Sequence, residues 1–303
     1  MEGLHRSSLP RQGITPSRYP IEKSSIPAGR PRRPAGVQTD VTLHPSKDIG
    51  VPYTDIRRCA RRIAARFPVP EFYVDFPLEF AFSQRFFELD PTVCAIRRIA
   101  VRELEDDLGH GLPHADKVSL DAGALAIIES RRIGLSLRCI RKRLRLAQSA
   151  GLLHDIRRKD ADHALTGSIH ARKLLEGSGL FTSSEIDAVC GAILNHEAFK
   201  RNLPIPGGKD RMISDCLYDA DKFRWGYDNF TDTVWTMVSY LRVPIEDFIG
   251  RYPQGMARIA DIKRTFRTET GKVYGPRFID MGLAVGRLLY ETLRRDFAAV
   301  IAP

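Results

Sequence analysis

Apolar positions recur at helical spacing in block after block of this chain. In TDIRRCARRIAARF, Ile56, Ala60, Ile63 and Phe67 share one face, with arginines opposite, as in a helix packed on one side. Residues 67–87 hold eight aromatics (Phe67, Phe72, Tyr73, Phe76, Phe80, Phe82, Phe86 and Phe87). Within them, residues 72–76 alternate and suit a short strand. The cluster reads more simply as a packed helical layer or a dimer face than as a ligand pocket. Asp90-Pro91 breaks the pattern, and PTVCAIRRIAVRELEDDLG returns to helix.

The centre is punctuated helix. HADKVSLDAGALAIIESRRIG predicts a helix over about 114–133, stopped by Gly134, and SLRCIRKRLRLAQSAGLLHDIRR predicts another over about 136–158. A third follows with Asp162 as its N-cap and Gly177 as its stop. Thr182 and Glu185 form a capping box that opens a helix ending near His196. ISDCLYDADKF, TDTVWTMVSYL and PIEDFIGRYPQGMARIADIKRTF continue the series, and a long amphipathic helix from about 276 closes it. There is no internal repeat and no glycine-rich phosphate loop. The expected fold class is all-α.

Residues 1–50 break this periodicity. They carry seven of the nineteen prolines and no sustained apolar face, so burial cannot offset their ordering entropy. They read as a disordered basic tail, although organelle transit peptides share the composition. The expected divisions are this tail, an N-terminal helical layer over 51–109, a central domain over 110–230, and C-terminal helices over 231–303 packed on it.

The net charge is +10, of which the tail supplies +4. The excess is thus spread along the chain and not gathered in one nucleic-acid arm. No apolar run spans a bilayer and no secretory leader opens the chain, so a cytoplasmic protein without a membrane partner is expected. Five scattered cysteines, without a CxxC pair, argue against a disulfide framework and a thiolate zinc site. Arg131, Arg132, Arg138, Arg141, Lys142, Arg143 and Arg145 line a helix whose other face is apolar. A solvated face is the simple reading, attraction of RNA or another polyanion the alternative.

The sharpest chemical feature is the adjacent pair His154-Asp155, led in by Leu152 and Leu153. His114 opens the helix upstream, and downstream LYDADKF offers Asp219 or Asp221. One His, then His-Asp, then Asp, each on a different helix, is how a bundle builds an inward-facing metal site. Such a nitrogen and oxygen set suits manganese, iron, cobalt, nickel or zinc.

The order H…HD…D, with HAxKVxxxA at 114–122, LLHD at 152–155 and DADKF at 219–223, resembles the HD superfamily of metal-dependent phosphohydrolases. The resemblance spans about residues 110–230. It implies an all-α fold, one or two divalent ions (magnesium included), and hydrolysis of a small phosphorylated substrate such as a nucleotide. It implies His114, His154, Asp155 and Asp221 as ligands, with Asp221 preferred because the second acid of the segment takes that place in the family. Asp155 would also orient the attacking water. Extra histidines in two-metal members make His163 and His196 candidates for a second ion or a phosphate. Arg158, Lys222 and Arg224 are candidate phosphate-binding cations, and a nearby carboxylate or His163 a proton shuttle.

The doublet is often followed in that family by Ile-Gly-Lys. Here it runs Ile156-Arg157-Arg158, so Arg158 would replace the basic residue and Arg157 would narrow the site. His170, seven residues beyond His163, and His110, in a glycine-bounded loop, read as structural or solvent-facing. Two other functions fit the same residues: a non-catalytic binder or sensor of a nucleotide or RNA, and a di-iron oxygenase. The aromatic cluster and the last helix make a homodimer a further expectation.

Overall fold

The computed structural model describes residues 52–104, 110–204 and 211–296. The segment expected to be a disordered tail lies outside them. The described residues contain twelve α-helices and no strand. None of these helices is long and apolar enough to cross a membrane.

The centre is a hairpin of α5 (Leu112–Arg132) and α6 (Leu137–Leu153), turned by Gly134 in left-handed conformation (φ 69°). The two helices run unusually close. A Cβ on Gly151 would lie 2.7 Å from the Ser119 Cα and 2.8 Å from its nitrogen, so only glycine lets α6 approach here. The Ser119 hydroxyl bridges the crossing, its single O–H shared between the carbonyls of Ala115 at 2.7 Å and Gln148 at 3.0 Å. The close approach sets the C-terminus of α6 beside the first turn of α5.

Against this hairpin pack α9 (Arg211–Phe223) and α8 (Ser183–Leu194), the latter paired with α7 (His163–Ser178). On the other side lie α3 (Pro77–Leu89) and α4 (Pro91–Glu103). α4 is capped by Asp90, whose carboxylate accepts from the nitrogens of Thr92 and Val93 and is clamped by Arg145 of α6. A flank is built from α1 (Pro52–Ala64), a π turn (Asn229–Thr233), α10 (Val234–Tyr240), α11 (Ile245–Asp261) and α12 (Glu269–Asp296).

Several expectations shift. Residues 72–76 are not a strand: α2 (Glu71–Asp75) is a short helix between Pro70 and Pro77. Phe72 and Phe76, four apart, satisfy helical spacing as well as alternation, and their rings lie 5.7 Å apart. Phe72 is fully buried against Phe223 and Phe278 behind α9, whereas Phe82 of the same cluster is exposed. Helix α6 ends at Leu153 and leaves His154 as its C-cap, five residues before the expected end. Asp162 is the N-cap of α7 but makes no side-chain cap bond, and α7 runs through Gly177 to stop at left-handed Gly179 (φ 65°). The capping box of Thr182 and Glu185 is present. Helix α12 starts at Glu269, ahead of the expected 276, because the Thr268 hydroxyl caps it by accepting from the Gly271 nitrogen. Pro276 therefore lies inside the helix.

Candidate metal centre

Five helices deliver ligands to one place. His114 stands in the first turn of α5, where Pro113 fixes the helix start. His154 caps α6 and Asp155 follows it. Asp221 lies in the last turn of α9, His163 opens α7, and His196 follows α8. All six side chains are buried.

One group is His114, His154 and Asp221. The Nε2 atoms of the two imidazoles lie 3.3 Å apart, and Asp221 Oδ1 is 3.3 Å from the first and 3.7 Å from the second. Ligands about 2.1 Å from one ion stand roughly 3.0–3.4 Å apart at octahedral and tetrahedral angles. The spacing is therefore that of atoms around a single cation.

The orientation of the rings is fixed from behind. His154 Nδ1 donates to the Gly151 carbonyl at 2.8 Å. A carbonyl only accepts, so that nitrogen carries the hydrogen and the Nε2 lone pair faces the group. His196 repeats the device: Nδ1 donates to the Ile193 carbonyl at 2.6 Å. Its Nε2 faces Asp155 Oδ1 at 3.4 Å, and His163 Nε2 lies 3.8 Å from the same oxygen. These three make a second group able to hold an ion. Asp155 joins the two groups, because its Oδ2 stands 3.3 Å from His154 Nε2 and 4.0 Å from His114 Nε2.

His110, expected to be structural or solvent-facing, enters the cluster. Its Nδ1 is 2.8 Å from Asp155 Oδ2, and with His114 and Asp155 it forms a third candidate group. It lies just ahead of α5, whose N-cap is Gly111, in a stretch with no period to mark it in the sequence. Five of the eight histidines thus converge with two carboxylates.

Electrostatics agree with a cation site. Asp155 Oδ1 is buried without a hydrogen-bond donor, a costly state unless an ion meets it. Burial alone would raise the Asp155 carboxyl, but His154 and His110 outweigh it and hold it well below the ordinary range. Asp221 is held low against burial by Lys222, His114 and His154. Burial would lower His154, but Asp155 and Asp221 raise it, so a proton can stand in for a metal there. Burial pushes His114 and His163 down to about 4, leaving both rings neutral and able to ligate. The donor set, the inward lone pairs of His154 and His196, and the orphaned oxygen all fit a divalent ion.

No protein-family model matches this chain, and neither a curated protein nor a solved structure matches it. The chemistry of the site accordingly rests on its geometry.

The cluster opens on a cavity of ≈ 200 Å³ lined by Asp155, Arg158, His163, Asp221 and Lys222, and by Glu197, Phe199, Trp225 and Arg258. Arg158 donates to His163 Nε2 at 2.8 Å, and Lys222 pairs with Asp221. Arg224 does not line this cavity. It is buried behind α9, paired with Asp121, 2.5 Å from Asp228 and 2.8 Å from the Tyr73 hydroxyl. It stands only two residues beyond Lys222, but two residues turn a helix by about 200°, so the two side chains face opposite sides. Arg157, expected to narrow the site, turns instead to His170, which pairs with Glu103 at 2.7 Å.

Asp219, the alternative to Asp221, points elsewhere. It accepts from the nitrogens of Arg267 and Thr268 and from the Thr268 hydroxyl, all within 2.8 Å, and burial raises its pKa to about 7. On the basic face of α6, Lys142 and Arg145 pair with Glu185 and Asp90. Glu197, Phe199, Trp225 and Arg258 were missed. Nothing in the periodicity of their segments marks a cleft, and Arg258 comes from a helix about a hundred residues beyond the doublet.

Proposed function

We propose that this chain is a metal-dependent phosphohydrolase of the HD type, acting on a small phosphate ester such as a nucleotide. The observation that carries the reading is the set of imidazole lone pairs and carboxylate oxygens turned on one another at 3.3–4.0 Å. Without a cation or a proton between them, these atoms repel.

A divalent ion held here supplies Lewis acidity and a nucleophilic water at neutral pH. His114, His154 and Asp221 would hold one ion and His163 and His196 a second, with Asp155 shared through its two oxygens. His154 and His196 are held in the ligating tautomer by their carbonyl partners. Arg158 and Lys222 stand beside the cluster to meet phosphoryl oxygens. Glu197, 3.7 Å from His163 and lining the same cavity, is placed to hold a proton. His110, beside Asp155 at the entrance, is a second candidate for that role.

A specific observation favours one other chemistry. Each group is two histidines and a carboxylate, the ligand set of non-haem iron oxygenases. Elemental analysis of the purified protein, with phosphate release from a panel of nucleotides and simple phosphomonoesters in manganese, separates the readings. Release of phosphate that chelation abolishes is expected. Two irons and no hydrolysis would favour oxidation, and protein that holds no metal would overturn both.

A further inference from the structure

Three cations line the cleft, and two belong to the ligand cage. Lys222 pairs with Asp221, while Arg158 bonds to His163 and stands 3.9 Å from Asp155. The third, Arg258, comes from α11, on the flank of the molecule. It is solvent-exposed, and no carboxylate among the described residues lies within ion-pairing distance of it. A cation in the last turn of a helix is favoured by the helix dipole, which accounts for an arginine at that position and not for what stands beside it.

Beside it is Phe199. This residue has left-handed backbone (φ 64°), rare for a side chain of its bulk, and it is 50% exposed and lines the cavity wall. The Arg258 guanidinium carbon lies 5.7 Å from the centre of that ring. Stacking on a ring steadies a guanidinium while leaving its in-plane N–H groups free to form two parallel bonds to an oxyanion.

We infer that Arg258, steadied by Phe199, recognises a second anionic group on the substrate, distinct from the phosphoryl group at the metal cage. The inference rests on the phosphohydrolase reading and adds a substrate class, a phosphate ester that carries another phosphate or a carboxylate. A phosphoryl group seated at the cage meets Arg158 and Lys222. Arg258, reaching the cavity from another helix, meets what that group is attached to, and nothing else in the described structure neutralises it.

Calorimetric titration of full-length, manganese-loaded protein tests this with two probes. Inorganic phosphate offers one anionic group, and imidodiphosphate, whose P–N–P bridge resists hydrolysis, offers two. Wild type is expected to bind imidodiphosphate at least tenfold more tightly than phosphate. Arg258→Gln should lose most of that preference while binding phosphate and manganese as before, and Arg258→Lys should keep part of it. Phe199→Ala should weaken imidodiphosphate binding in the same direction. An undiminished preference in Arg258→Gln, or none in wild type while phosphate still binds, would overturn the inference and leave the phosphohydrolase reading standing. Failure of both probes to bind any metal-loaded protein would overturn the two together. Because Arg258 is exposed, an unchanged thermal melt is expected to accompany the altered binding.

Discussion

Asp155 faces two ways at once. One oxygen looks to His110, His114 and His154, the other to His163 and His196. If both groups hold ions, Asp155→Asn removes the charge common to them and should empty both, whereas His196→Gln should empty one. Metal counting by mass spectrometry reads the difference, and an Asp155→Asn protein that keeps its full complement would rule out the shared carboxylate. The same residues set a pH dependence. His114 and His163 fall from an ordinary value of 6.5 to about 4 on folding. The unfolded chain then binds more protons than the folded one between those values. Their contribution to stability is full above about pH 6.5 and is lost as the pH falls towards 4. Urea denaturation of metal-free protein at pH 7 and pH 4.5 should show it weaker at the lower pH, and imidazole resonances titrating near 4 would identify the rings.

At the scale of elements, the site depends on how closely α6 lies on α5. The crossing at Gly151 and Ser119 is a contact between backbones, which cannot be relieved by rotating a side chain. Gly151→Ala is expected to push the helices apart and cost about 1–3 kcal/mol, as overpacking does. It should also weaken metal binding by displacing His154 from His114. A variant with unchanged denaturation and metal affinity would refute this use of the glycine. The helices themselves were legible because their punctuation is local, as with the Thr182 capping box and Gly134. Local signals misled where two periods share the same residues, as at Phe72 and Phe76, or where a cap hides within a polar run, as at Thr268. The ligands on helices could be read because His154-Asp155 and Asp221 follow strong apolar patterns. His110 could not, since a loop has no period and only the fold returns it to Asp155.

For the whole molecule, the ligands are drawn from α5, α6, α7, α8 and α9, so an ion gathered by them ties five helices together. Such an ion binds the folded chain and not the unfolded one. At a hundred times its dissociation constant it would add about 2.7 kcal/mol, or roughly 5–10 °C of melting temperature for a domain this size. Chelation followed by a thermal melt should show that drop, restored by adding metal back, and equal melts with and without metal would place no ion in the core.

Phe199 sets a limit of another kind. A large L-residue held at positive φ costs roughly 1–2 kcal/mol, and glycine would escape that cost. Phe199→Gly is therefore expected to melt no lower than wild type, and up to roughly 1 kcal/mol more stably once glycine's greater freedom in the unfolded chain is set against the relief. A lower melting temperature would show that the ring earns its place by packing. Otherwise, selecting variants of this protein for heat resistance alone would tend to erase the aromatic lip of the cleft, and durability would be gained as grip on the ligand was lost.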